Sequence, residues 1–89
     1  SVLDKYAGEY KFQYPETTHT VTIENGKLML FEPGYPKDEM FAESETDFFL
    51  KTYDVQIKFV KDANGAVTDV IVHQNDNTLY EVMNGQKIE

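Results

Sequence analysis

Apolar and polar residues alternate with a period of two along most of this chain. Val21 and Ile23 alternate with Thr20, Thr22 and Glu24, and the pattern resumes in Leu28 and Leu30 after Asn25-Gly26. Such alternation reads as strand with one face buried. Asn-Gly between two alternating runs marks a two-residue hairpin, because a type I′ turn needs positive φ at both central residues. That loop sets the register: Glu24 opposite Lys27, Ile23 opposite Leu28, Val21 opposite Leu30. The apolar residues of both strands then share a face, so turn chemistry and burial demand the same pairing. Glu24 and Lys27 are expected to add a charge pair beside the turn.

A second hairpin follows the same logic. Val55, Ile57 and Phe59 alternate with Gln56 and Lys58. Asp62-Ala63-Asn64-Gly65 reads as a four-residue loop, with Gly65 taking the left-handed conformation. That loop places Ile57 opposite Val70, Val55 opposite Val72 and Lys58 opposite Asp69. Further strands are expected at 8–13, 38–42, 47–52 and 78–83, with polar turns at 43–46 and 75–77. One helical turn is expected at 1–6, capped by Ser1. Pro15, Pro33 and Pro36 all fall in connections, where a missing N–H does least harm.

These elements predict an all-β fold. The strands form an antiparallel meander of about eight short segments closing into a small barrel, which removes the unpaired edges of an open sheet. The inward positions are Val21, Ile23, Leu28, Leu30, Met40, Phe48, Leu50, Val55, Ile57, Phe59, Val70, Val72, Tyr80 and Val82. Such large side chains are expected to fill most of so narrow a lumen.

Length and composition narrow the function classes. Eighty-nine residues make one domain, spanning 1–89, with a thin core. The 16 acidic residues outnumber the 8 basic ones, all of them lysine, and the net charge is −8. A surface that tracks phosphates is excluded by this balance, and nucleic acid with it. No apolar run approaches the ~20 residues of a membrane-spanning helix. Without cysteine there is no disulfide, thiolate metal site or thiol nucleophile. A first residue of serine suggests an excerpt of a longer chain.

Catalytic and metal-binding patterns are weak. His19 and His73 each fall in a strand without a partner at ligand-like spacing, and both are expected at the surface or rim. Asp62-x-Asn64-Gly65 has its glycine too early for a calcium loop and lacks the bidentate glutamate. The acids at 38–39 and at 43, 45 and 47 lie beside turns in polar company, as a solvated coat would. Ser44 sits between two glutamates, outside any nucleophile elbow. No catalytic residue, metal site or cofactor is therefore expected, and the chain reads as a non-enzyme. The aromatics are more informative. Tyr35, between Pro33-Gly34 and Pro36, either forms a contact loop or folds back to plug one barrel end. Phe31, Phe49 and Tyr53 fall on outward positions. Either they form an apolar patch that docks another domain, or the N-terminal turn covers them.

The motifs Leu3-x-x-Tyr6-x-Gly8-x-Tyr10, Phe48-Phe49, Ile57-x-Phe59-x-x-Asp62-x-x-Gly65-x-Val67 and Val70 through Gln74 follow one another along nearly the whole chain. Their order and spacing resemble the small lipocalin-like domain of unknown function found C-terminal to bacterial serine hydrolases of the β-lactamase and penicillin-binding type. The resemblance implies a barrel-like accessory domain of an exported, periplasmic or envelope enzyme, packing against its catalytic domain or presenting substrate to it. The hydrolases' catalytic serine and lysine belong to that other domain, and no position here matches them. The alternative is a stand-alone barrel that binds a small apolar or peptide ligand near Tyr35.

Overall fold

The structure is a computed structural model describing residues 3–13, 16–75 and 80–88, with side-chain surroundings for 3–13, 16–73 and 85–88. A short 3-10 turn, Asp4–Tyr6, precedes eight strands: β1 (Gly8–Gln13), β2 (Glu16–Glu24), β3 (Lys27–Phe31), β4 (Asp38–Ala42), β5 (Asp47–Leu50), β6 (Val55–Lys61), β7 (Val67–Asn75) and β8 (Tyr80–Ile88). Each pairs antiparallel with the next, and β8 returns to β1 through Glu9↔Ile88 to Phe12↔Gly85. The sheet is thus a closed barrel, as the alternation predicts.

The β2–β3 hairpin has the expected register, including Ile23↔Leu28 and Val21↔Leu30. Its turn residues have positive φ, 54° at Asn25 and 78° at Gly26. The expected charge pair is re-partnered. Lys37 takes the Glu24 carboxylate at 2.6 Å, and Lys27 reaches Glu39 at 3.7 Å.

The β6–β7 register differs by two residues from the expected one. Ile57 pairs with Val72, Val55 with Gln74 and Phe59 with Val70. Two local features cause this. Ala66 joins the loop, where Asp62 Oδ1 accepts the amides of Asn64 and Ala66 and the Asp62 amide donates to the Ala66 carbonyl. An irregularity between Val60 and Lys61 then moves β7 by one more residue. A two-residue shift leaves every side chain on its expected face. Other boundaries also move. β5 ends at Leu50, because residues 51–54 turn, and β8 runs on to Ile88 through its pairing with β1. Ser1 and residues 76–77 of the turn expected at 75–77 lie outside the described residues, and Asn75 ends β7.

The lumen holds Tyr6, Tyr10, Phe12, Phe48 and Phe59, each at most 4% exposed, packed with the aliphatic inward set. Tyr6 packs against Phe48 and Phe59 at 5.5 and 4.6 Å between ring centroids. It enters at the end of the barrel formed by the β2–β3, β4–β5 and β6–β7 turns, and its hydroxyl donates to the Glu45 carbonyl in one of them. The Tyr10 hydroxyl donates to the Tyr6 carbonyl at 2.6 Å. Burying such rings contributes roughly 1.5–3 kcal/mol each. Tyr6, Tyr10, Phe12 and Val67 join the expected core, whereas Ile23 is only half-buried. The side chains of Tyr80 and Val82 lie outside the described residues.

Candidate functional site

Among the described residues, the exposed aromatic side chains lie toward the opposite barrel end. Phe31 closes β3 on its outward face, 43% exposed. The chain then turns at Glu32–Tyr35, where the Tyr35 amide donates to the Glu32 carbonyl at 3.0 Å and Gly34 has a φ of 90°. Stiff prolines flank this turn and hold Tyr35 outward, 53% exposed. Tyr35 therefore does not plug the barrel, and Tyr6 occupies the other end. The turn after β5 brings up Tyr53, 45% exposed, edge-on to Tyr35 with centroids 6.1 Å apart. Phe49 sits apart from this pair on the barrel wall, half-buried against Phe41 at 5.7 Å. Lys51 caps that wall pair, its Nζ 4.1 Å from the Phe41 centroid. The predicted residues thus divide into a tyrosine pair at the mouth with Phe31 on the adjoining strand end, and a separate wall pair.

Beside the tyrosines lies an acidic, partly buried group. Burial, with the nearby charge of Asp38, raises the Glu32 carboxyl above the ordinary range. His19 Nε2 stands 3.7 Å from Glu32 Oε2. His19 is not a surface residue: it points into the barrel, 5% exposed, with its ring 4.4 Å from that of Phe12. Its position two residues before Val21 on the inward face was the available signal. Burial lowers its pKa, and Nδ1 has no hydrogen-bond partner among the described residues.

Elsewhere the polar groups build turns. Ser44 donates to Asp47 Oδ2 at 2.8 Å, and its oxygen accepts the Asp47 amide at 3.1 Å. Lys61 holds Glu45 at 2.7 Å and lowers its carboxyl pKa. No cluster of three or more metal-binding side chains occurs among the described residues. Concavities of about 300 and 350 Å³ lie along β5 and β6, the first reaching His73 of β7, and one of about 220 Å³ lies between β3, β4 and Leu3. None is lined by Tyr35, Tyr53 or Phe31.

A closed, side-chain-filled antiparallel barrel with an aromatic outer end defines a small all-β domain. The chain belongs to the family described as "Domain of unknown function (DUF3471)", whose model matches residues 1–87. It is also 32% identical over 71 residues to Penicillin-binding protein 4* of Bacillus subtilis (strain 168). The match covers 80% of this chain and 16% of that protein, so the chain spans about a sixth of its relative's length. No solved structure matches the chain.

Proposed function

We propose that this chain is a non-catalytic accessory domain of a penicillin-binding-type serine hydrolase at the cell envelope, packing against the catalytic domain or helping to present substrate to it. The observation that carries this reading is the match to a small fraction of a penicillin-binding protein. The filled lumen favours it over an internal-ligand barrel, since five buried rings occupy the space that such a ligand needs. The test is made in the polypeptide that carries this domain. Residues 3–88 are deleted, and turnover of a chromogenic β-lactam and of a D-alanyl-D-alanine peptide is measured beside the melting temperature. Loss of stability or of peptide turnover is expected. Unchanged values in all three measurements, or the absence of a hydrolase domain from that polypeptide, would overturn the reading.

A further inference from the structure

Among the described residues, the exposed rings at this end are Phe31, Tyr35 and Tyr53, about half uncovered at 43%, 53% and 45%. Rings of 150–250 Å² each then present roughly 300 Å² of apolar surface. A stable interface between free partners buries ~800 Å² on each side. The patch is too small to hold such a partner by itself. It is large enough for the centre of a contact between tethered domains, where effective concentration replaces area.

Charge identifies what the partner brings. The mouth's acidic residues include Glu32, whose carboxylate lies 3.7 Å from His19 Nε2, and Asp38, whose carboxylate accepts from the hydroxyl of Thr52 next to Tyr53. The two lysines that flank the mouth in sequence are turned elsewhere. Lys37 is held by Glu24 at 2.6 Å, and Lys51 lies over Phe41. Asp38 is met by the Glu39 amide and the Thr52 hydroxyl, both neutral donors. Tyrosine faces beside carboxylates attract a planar cation, which stacks on the ring and pairs with the acid. The chain itself has no arginine to supply one.

We infer that the Phe31–Tyr35–Tyr53 mouth docks an arginine-bearing, otherwise apolar protein segment, contributed by the hydrolase domain. The assignment of that segment to the hydrolase rests on the reading above; the chemistry of the surface does not.

The probe is the peptide acetyl-Leu-Arg-Leu-amide, with its citrulline analogue as the uncharged isostere. Each is titrated into the isotope-labelled 89-residue chain while amide shifts are followed by NMR. Saturable shifts are expected at Phe31, Tyr35 and Tyr53, with millimolar affinity and at least threefold weaker binding of the citrulline peptide. Raising salt should weaken the arginine peptide alone. The Tyr35→Ser/Tyr53→Ser double variant should lose at least threefold in affinity, with shifts at Phe41 and Phe49 unchanged. Equal binding of both peptides, shifts centred elsewhere or no binding would overturn the inference. The two readings fail separately. If the peptide binds here but deletion of the domain leaves the hydrolase unchanged, the surface stands and the hydrolase partner falls.

Discussion

Gly85 on β8 lies directly over the ring of Phe12 on β1. A Cβ placed there would lie 2.6 Å from Phe12 Cζ and 2.8 and 2.9 Å from its two Cε atoms. Ordinary carbon contacts begin near 3.5 Å. The ring has no room to retreat, because Phe12 is 0% exposed and the tilted ring of His19 lies 4.4 Å away. Gly85→Ala must therefore shift the ring or separate β8 from β1, at the pair that closes the barrel. Overpacking of this kind costs about 1–3 kcal/mol. Alanine returns about 0.5–1 kcal/mol by restricting the unfolded backbone. The midpoints of the two ranges leave a net loss of about 1 kcal/mol, which lowers the melting temperature by roughly 4–8 °C at this size. Urea unfolding followed by tyrosine fluorescence measures it. Phe12→Leu removes the three atoms in conflict, so Gly85→Ala should be neutral or stabilising in that background. The coupling energy in the double-mutant cycle should then reach at least about 1 kcal/mol. A Gly85→Ala protein as stable as the parent, or one equally destabilised with leucine at position 12, would refute the close-contact account.

Tyr10→Phe should cost about 1–2 kcal/mol in the same urea assay, because it strips the Tyr6 carbonyl of a buried donor at 2.6 Å; an unchanged midpoint would mean that water replaces the hydroxyl. Burial also raises the Tyr10 phenol pKa, so its ultraviolet titration should stay silent in alkali until the barrel unfolds. His19 predicts a pH effect. Burial lowers its native pKa, so as pH falls through ~6.5 the unfolded chain binds the proton first and stability drops. Glu32 acts in the opposite sense. Its raised native pKa lets the folded state bind the proton first, so its contribution to stability grows with acidification. Comparing urea midpoints at pH 7.5 and 6.0, the parent should lose stability relative to His19→Leu. A constant difference between the two proteins would remove His19 as the titrating group.

Most of the architecture was legible because independent local signals agreed. At Asn25-Gly26 the turn chemistry and the alternation demanded one register, and that register is present. In the second hairpin one signal stood alone, and it misled. The loop after Lys61 was counted from Gly65, but Asp62 draws the Ala66 amide into it, and a bulge adds a further slip. The strand character of 84–88 was invisible locally, since Asn84, Gly85, Gln86 and Lys87 show no apolar alternation. Those residues are extended because β1 needs a partner to close the barrel, which is a property of the whole sheet. The inward face of β1 could have been read from Tyr10 and Phe12 at i and i+2. His19 obeys the same alternation from Val21. Its chemistry argued for solvent, yet its position on the strand prevailed. For the exposed aromatics, alternation put Phe31 outside, but only the structure decided between the two readings of Tyr35.

The tyrosines argue most directly about use. Tyr6 and Tyr10 are buried, and each spends its hydroxyl on a carbonyl, so their rings stabilise a thin core without stranding a polar atom. Tyr35 and Tyr53 pack on each other at the rim and hold no place in the core cluster. A domain this small gains stability from every large ring that it buries, so two rings left half in water contribute little to the fold. That separates the two pairs experimentally. Tyr35→Ser/Tyr53→Ser should shift the unfolding free energy by no more than about 0.5–1 kcal/mol, within the range of surface substitutions with a modest ring contact removed. Tyr6→Ala should cost about 3–5 kcal/mol, as the loss of a buried ring does. Urea unfolding of the two variants beside the parent checks both values. If the rim variant proved as damaging as the core variant, the mouth tyrosines would be structural, and the case for a docking surface there would fall with them.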